Sequence, residues 1–414
     1  MSTDTTAEPD VVDEVLLQVT KGWIAALSLA MLGLWLAIFG AIQILLPRQI
    51  ESVVGHAHKT AGLGWVTLCA GAAAIVACPI GGALSDRTTS RFGRRRPWIA
   101  GGSVTCAVGL ILQSTQHSFL GIALCWILVQ GGFNAMYAAL SAVIPDQVPE
   151  SQRGMVSALV GVTAPVALVL GTILASMSGT VTAYLTAAVL VVALQIPFAL
   201  RGGDQVLAEA PPFDLVKFLT GFWISPREHP DFAWVFGGRF AILLGSSVGT
   251  FYTYFYLQDV LHIRNPEKHV ATLITVYTVS AVLVSVVIGY WSDRTGRRKP
   301  FVIGASLVMA AAVVVFALGR DWTAVLLAGA VLGLGSGSYL AIDNALITQV
   351  LPTAGSRGRD LGVINLANPS STLLTPAIAG SIVALSGGFS GLYFVTGGII
   401  LIGTFLILPV RSVR

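Results

Sequence analysis

Charged residues are scarce in this sequence, and that scarcity determines its class. Only 11% of the 414 residues are Asp, Glu, Lys or Arg, while 55% are hydrophobic. In soluble globular domains about a quarter of the residues are charged. The composition therefore excludes an ordinary soluble domain and predicts a protein that crosses a membrane many times.

Cysteine is also scarce, and several chemical motifs are missing. Cys69, Cys78, Cys106 and Cys125 stand singly inside apolar runs, without metal-site spacing or an external pair for a disulfide. The sequence shows no Walker motif for phosphate binding and no cluster of a nucleophile with a base within the apolar runs. We therefore expect no metal, no cofactor and no enzymatic activity.

Basic residues are absent from the first twenty positions, which instead carry five carboxylates. A cleaved signal peptide begins with a positively charged region. Residues 1–20 are therefore predicted to form a cytosolic tail, and the first apolar run is predicted to remain in the mature protein.

Twelve apolar runs follow the tail, and we name them spans 1 to 12. A run of about 20 residues is long enough to cross roughly 30 Å of hydrocarbon as a helix. Their predicted limits are about 23–46, 61–84, 98–114, 119–144, 155–177, 181–200, 233–257, 270–291, 301–319, 323–349, 361–386 and 388–410.

The basic residues predict the orientation of these spans. With a cytosolic N-terminus, 18 of the 24 Lys and Arg residues fall in cytosolic loops and tails, and five fall outside. The positive-inside rule then places both termini in the cytoplasm. Because the basic residues are confined to short loops, they do not indicate a nucleic-acid partner.

The chain is predicted to consist of two related halves. Pro97 and Pro300 lie at equivalent positions of two basic loops, and Tyr137 of span 4 is equivalent to Tyr339 of span 10. The long connection between spans 6 and 7 is predicted to be a cytosolic linker with an amphipathic helix at 213–223. The predicted segments are a tail at 1–20, a six-helix bundle at 21–200, the linker at 201–232, a second bundle at 233–410 and a tail at 411–414.

The two basic loops carry a resemblance to a known family. Gly82-x-x-Ser85-Asp86-Arg87 with Gly93-Arg94-Arg95, and Gly289-x-x-x-Asp293-Arg294-x-Gly296-Arg297-Arg298, are similar to the cytoplasmic signature of the major facilitator superfamily. The stretch Thr89–Pro97 resembles the variant found in sucrose/proton symporters and the glycoside-pentoside-hexuronide transporter group.

This resemblance implies an all-α membrane protein of twelve transmembrane helices in two pseudo-symmetric six-helix halves. It also implies alternating access around a midplane site, a sugar or glycoside as substrate, and a place in the cytoplasmic membrane. The plant sucrose symporters carry a carboxylate within span 4, however, where this chain has Ser141.

Two charges lie within the spans, Arg239 in span 7 and Asp343 in span 10. A charge inside a membrane span costs roughly 2.5 to 3.5 kcal/mol on insertion scales, so each is a functional candidate. Both lie about six residues, roughly 9 Å at 1.5 Å per residue, from the cytosolic end. We expect an ion pair that serves proton coupling, against the alternatives of a purely structural pair and of Arg239 snorkelling to the interface.

Polar residues at helical spacing form one stripe on span 4 and an equivalent stripe on span 10. We predict that both contact the substrate, although hydrogen bonds that merely hold the bundle together are an alternative. The predicted substrate-binding residues are Gln130, Asn134, Tyr137, Ser141, Ser336, Tyr339 and Asn344. Tyr252, Tyr254 and Tyr256 are instead predicted to form an interfacial aromatic belt.

The basic loops are predicted to control opening and closing. The resemblance implies that Asp86 and Asp293 meet the N-termini of spans 11 and 5 across the two halves, where helix dipoles favour a carboxylate. The neighbouring arginines could reach lipid phosphates or loop carboxylates. The predicted gating residues are Asp86, Arg87, Arg94, Arg95, Asp293, Arg294, Arg297 and Arg298.

Two functions are left open by the sequence. The first is proton-coupled transport of a sugar or glycoside by a monomer, whose partners are a small-molecule substrate, protons and membrane lipids. The alternative is a proton-driven exporter of a drug-like secondary metabolite, favoured by the missing carboxylate in span 4 and by the aromatic character of spans 1, 7 and 10.

Overall fold

The computed structural model describes residues 18–201, 204, 206–207, 227–295, 298–350, 363–364 and 366–410, with the side chains of 293, 344–350 and 369 excepted. Within these ranges, eleven helices are long and apolar enough to cross a membrane, and one shorter apolar helix lies where span 11 was predicted. Spans 1 to 12 are Lys21–Val54, His56–Asp86, Arg96–Ser114, Phe119–Gln147, Glu150–Met177, Thr180–Arg201, Pro230–Phe251, Pro266–Thr295, Lys299–Leu318, Trp322–Val350, Ser370–Ser386 and Phe389–Ile407.

Local sequence signals explain where several of these helices begin and end. Thr20 caps span 1 by accepting a hydrogen bond from the Trp23 amide, and Ser118 caps span 4 in the same way from Gly121. Pro97 lies in the first turn of span 3, where its missing N–H costs nothing. Gly387, with φ of 69°, ends span 11 in the left-handed conformation typical of a helix C-terminus.

Two predicted spans differ in shape from the expectation. Span 1 is longer than predicted because it continues through a π-helical turn at Ala41–Leu45 into the helix Leu46–Val54. Span 7 ends at Phe251, and a second short helix, Thr253–Asp259, follows after a break at Tyr252. The predicted linker helix at 213–223 lies outside the described residues.

The two halves repeat one packing scheme, which confirms the predicted fold class. In the first half span 4 packs against spans 2 and 3, and in the second half span 10 packs against spans 8 and 9. Likewise span 1 packs on spans 5 and 6, and span 7 packs on spans 11 and 12. Between the halves, span 2 packs on span 11 and span 5 on span 8.

The outer surface of the bundle is apolar, as expected of a membrane protein. Large side chains such as Trp65, Leu120 and Leu283 are each more than half exposed. A soluble monomer rarely shows apolar patches on this scale. In the part of the chain that the structure describes, the elements that cross this apolar zone are helices, which satisfy their own backbone hydrogen bonds.

Candidate functional site

The structure brings the two intramembrane charges together inside the second half. Arg239 Nη1 lies 3.2 Å from Asp343 Oδ2, and the two residues are only 8% and 2% exposed. Tyr339, one helical turn before Asp343, donates a hydrogen bond from its hydroxyl to Asp343 Oδ1 at 3.1 Å. The predicted ion pair is therefore present, and snorkelling of Arg239 is excluded in this conformation.

The guanidinium of Arg239 is not fully satisfied among the described residues. Its Nε has no hydrogen-bond partner there, and its Nη1 faces Asp343 Oδ2 at ion-pair distance without hydrogen-bond geometry. A buried ion pair is stable only when its geometry is good and its remaining donors are satisfied. The pair therefore lacks part of the hydrogen bonding that would stabilise its charges.

The polar stripe of span 4 is more accessible than the stripe of span 10. Gln130, Asn134 and Tyr137 are half-buried and Ser141 is exposed. Asn134 Nδ2 donates to the Gln130 carbonyl at 2.8 Å, and Ser141 donates to the Ala138 carbonyl at 3.1 Å. Neither of these bonds joins span 4 to another helix. Their bonding therefore gives no support to the alternative that the stripe merely holds the bundle together.

The predicted residues of span 10 are instead buried within their own half. Ser336 is 4% exposed and Tyr339 is 2% exposed. Asn344 lies on the same helix, but its side chain is outside the described part. The two stripes therefore lie at equivalent positions of the repeat, but the span 4 stripe is more exposed than the span 10 stripe.

An aromatic cluster that the sequence analysis did not identify lies beside Tyr137. The Trp35 ring lies 5.2 Å from Phe39, 5.4 Å from Phe133 and 5.5 Å from Tyr137, measured between ring centroids. Trp35, Phe39 and Tyr137 are half-buried. The spacing of four residues within each pair, Trp35 with Phe39 and Phe133 with Tyr137, predicts contact within that pair but not the meeting of the two pairs.

The first basic loop is held together by Arg95, which is 4% exposed. Its guanidinium forms ion pairs with Asp86 and with Asp146, the latter at 2.9 Å, and donates to the Ser85 hydroxyl. Arg94 also pairs with Asp146 at 2.9 Å. Arg87 follows the last residue of span 2. Asp146, at the end of span 4, was not among the predicted site residues.

Asp86 has a partner that the sequence analysis did not predict. It pairs with Arg95 of the same half, and its side chain remains 51% exposed. The first residues of the predicted span 11, 361 and 362, lie outside the described part of the chain. The contact of Asp86 with the start of that span therefore stays a prediction.

The second basic loop repeats one of these contacts. Arg298 donates to the Ser292 hydroxyl at 3.0 Å, as Arg95 does to Ser85, and both serines are fully buried. Arg294 is exposed and donates to the Tyr290 hydroxyl at 3.1 Å. Arg297 and the side chain of Asp293 lie outside the described residues.

A second contact that sequence analysis missed fixes the start of span 3. Asp204 Oδ2 accepts hydrogen bonds from the backbone amides of Arg95 at 2.8 Å and Arg96 at 2.9 Å. A carboxylate at a helix N-terminus satisfies free amides and interacts favourably with the helix dipole. Gly93, with φ of 97°, packs so closely on Asp204 that a Cβ atom would lie 2.3 Å from its Cγ.

The polar contacts that we identify between the halves, among the described residues, lie at the end opposite the basic loops. Lys59 Nζ is 2.7 Å from Asp259 Oδ1, and Arg48 Nε is 3.7 Å from Glu267 Oε1. The Tyr252 hydroxyl donates to the Thr60 carbonyl at 2.8 Å. At this end, therefore, the halves are closed against each other.

The predicted aromatic belt at the end of span 7 is wrong. Tyr252, Tyr254 and Tyr256 are all between 1% and 5% exposed. Tyr254 donates to Glu267 at 3.2 Å, and Tyr256 donates to the Phe316 carbonyl at 2.9 Å. Because the chain breaks at Tyr252, these rings turn into the protein and their hydroxyls find partners there.

Comparison with known proteins adds family information to this geometry. The model of the Major Facilitator Superfamily matches residues 22–266 and 235–414. "Myo-inositol transporter 3C" of Cryptococcus neoformans var. grubii is 30% identical over 28% of this chain, and that match covers 19% of the relative's length. "MFS-type transporter opdF" of Penicillium oxalicum is 22% identical over 82% of this chain and 80% of its own length. The matches to the first relatives thus span only about a fifth of their lengths.

Solved structures share the fold at low sequence identity. A POT family transporter in complex with a thioalcohol-conjugated peptide superposes with a TM-score of 0.75 at 14% identity, covering 93% of this chain and 95% of its own. The nucleoside transporter NupG gives a TM-score of 0.74 at 14% identity, covering 94% and 98%. With the family match over most of its length, the chain belongs to the major facilitator superfamily.

Proposed function

We propose that this protein is a secondary active transporter that moves a small organic solute across the cytoplasmic membrane by alternating access. The observation that carries the proposal is the buried pair of Arg239 and Asp343 inside the second of two repeated halves, which are closed against each other at one end. The positive-inside rule makes the basic-loop end cytosolic, with both termini inside. The closed end is then the outer one, and the protein works as a monomer.

Proton coupling follows from the chemistry of the pair. A proton on Asp343 removes the negative charge that holds Arg239, and the loss of this attraction allows spans 7 and 10 to separate. Tyr339 keeps a hydrogen bond to the carboxyl group in either state. Such a group, whose ion pair depends on protonation, is the usual device for coupling proton movement to transport.

A sugar or glycoside is the substrate class that the remaining observations favour. Gln130, Asn134 and Tyr137 offer an uncharged, half-buried hydrogen-bonding stripe suited to hydroxyl groups. The resemblance to sugar symporters and the similarity to a myo-inositol transporter, a carrier of a neutral polyol, agree with this class. The loops containing Asp86, Arg94 and Arg95 would control the cytosolic opening, with exposed arginines near lipid phosphates.

The second candidate is a proton-driven exporter of a drug-like secondary metabolite. The aromatic cluster around Trp35 favours it, because the half-buried rings of Trp35, Phe39 and Tyr137 offer aromatic contact to an apolar solute. The absence of a carboxylate from the middle of span 4 agrees with a coupling mechanism unlike that of the plant sucrose symporters.

The deciding experiment is transport into proteoliposomes with an imposed pH gradient, using a panel of sugars, glycosides and apolar metabolites. Asp343→Asn should abolish accumulation against a gradient and preserve counterflow exchange, which requires no net proton movement. Asp321→Asn is the matched control, since Asp321 is exposed and its role in capping span 10 is one that Asn can also fill. Accumulation by Asp343→Asn at the wild-type rate would place the coupling site elsewhere.

A further inference from the structure

Lys59 is the most deeply buried basic residue at the outer end of the structure. Only 2% of its surface is exposed. Its ammonium group contacts four polar side chains: Glu51 at 3.2 Å, His56 at 3.1 Å, Gln258 at 2.7 Å and Asp259 at 2.7 Å. It also lies 4.8 Å from the centroid of the Phe255 ring.

These partners come from both halves of the protein. Glu51 lies near the end of span 1 and His56 begins span 2, both in the first half, whereas Gln258 and Asp259 end the short helix that follows span 7. His56 Nε2 also lies 3.4 Å from Asp259 Oδ1. One buried cation therefore joins the two halves through its shortest contacts.

The other contacts between the halves at this end are weaker or lack charge. The Arg48–Glu267 pair is 3.7 Å long and Arg48 is 43% exposed, and an exposed pair contributes little. The bond from Tyr252 to the Thr60 carbonyl is a neutral hydrogen bond. Lys59 thus makes the charged contact between the halves that is best shielded from water.

We propose that Lys59 is the positioning residue that holds the outer side closed, as an ion-pair latch to Asp259 and Gln258. When the outer side opens, Lys59 keeps Glu51 and His56 but loses both partners of the second half. The latch contributes only to the closed state, so its loss shifts the equilibrium between the two states. The proposal rests on the alternating-access function. Its test, however, measures how accessible a buried position is to a water-soluble reagent, and not transport.

Thr67 provides the reporter position. It is 7% exposed and lies between Gly64 and Gly71, where span 2 packs on the second half. A Cβ atom on Gly64 would lie 3.4 Å from the Pro376 carbonyl oxygen, and one on Gly71 would lie 2.9 Å from the Leu373 side chain. A cysteine at position 67, in a chain without the four native cysteines, should react with an impermeant maleimide only when the outer side opens.

In proteoliposomes, Lys59→Ala should raise the alkylation rate at position 67 by about tenfold, the effect of ~1.4 kcal/mol of lost closed-state stabilisation. Lys59→Arg should retain the slow rate. The matched control is Lys268→Ala, because Lys268 is an exposed lysine at the same end. A wild-type alkylation rate in Lys59→Ala would overturn the proposal, whatever the transported solute.

A double-mutant cycle distinguishes a latch from a merely structural lysine. Asp259→Asn breaks the same contact from the other half and should accelerate alkylation in the same direction, which also provides a test if Lys59→Ala fails to fold. Combining Asp259→Asn with Lys59→Ala should accelerate alkylation little more than Lys59→Ala alone, because the contact is already lost. A double variant whose acceleration equals the product of the two single effects, in protein that elutes as a folded monomer, would contradict the latch.

Discussion

Removing Arg239 alone should destabilise the protein more than removing the whole charge pair. In the structure Asp343 is 2% exposed, and its charged partner is Arg239 at 3.2 Å. Among the described residues, the Arg239→Ala variant leaves the buried carboxylate with the Tyr339 hydroxyl, at 3.1 Å, as its hydrogen-bond donor. The double variant Arg239→Ala, Asp343→Asn leaves a neutral amide whose oxygen can still accept that bond.

The expected magnitude follows from the burial of both groups. Breaking a buried ion pair from one side costs about 3–5 kcal/mol, whereas replacing both charges by neutral groups is often close to neutral. We therefore expect Arg239→Ala to lower the free energy of unfolding by about 3–5 kcal/mol. Adding Asp343→Asn should recover roughly half of this loss or more, because it removes the unpaired charge.

Thermal unfolding in detergent, followed by circular dichroism, is the assay. At neutral pH the order of apparent Tm should be wild type, double variant, then Arg239→Ala. As the pH falls, a proton neutralises the unpaired carboxylate, so the gap between the single and double variants should close. A double variant as unstable as Arg239→Ala at neutral pH would refute the account of a mutually dependent charge pair.

Further predictions concern the contact of Asp204 with the start of span 3, the orientation of the protein in the membrane, and the aromatic cluster around Trp35. Gly93→Ala should lower the apparent Tm, because its Cβ atom would lie 2.3 Å from the Asp204 carboxyl carbon, and Asp204→Ala in the same chain should relieve part of that loss. A cysteine at the exposed Arg294 should react with an impermeant reagent only from the cytosolic side, and one at the exposed Arg264 only from outside; the reverse pattern would invert the topology. Trp35→Ala should weaken substrate binding, measured as a higher KM, while Trp35→Phe keeps more of it; equal KM values would exclude ring contact with the substrate.

The sequence predicted the parts of the fold that depend on the length of apolar runs and on the positions of charged residues along the chain. The length of each apolar run determined the number and position of the spans, since a helix needs about 20 residues to cross hydrocarbon. The repeated basic loops indicated the two halves. The rarity of charges inside the spans singled out Arg239 and Asp343, because each is costly there unless it has a partner.

Other contacts could not be predicted from the sequence, because most of these helices carry apolar residues on every side. Lipid and protein interior are equally apolar, so hydrophobic periodicity does not show which face of a span is buried. Trp35 and Tyr137 could not be assigned to one cluster without the rotation of spans 1 and 4. For the same reason, the inward turn of Tyr252 was missed and an interfacial position was predicted instead.

The sequence by itself determined the class of protein, the twelve spans, their repeat and the two intramembrane charges. Only the tertiary structure decided which distant side chains meet: Asp204 with the start of span 3, and Lys59 with Asp259. These contacts join segments that are far apart in the chain or belong to different halves. Their formation depends on the rotation of each helix about its axis and on which end of the molecule is closed. Neither property can be read from a short stretch of sequence.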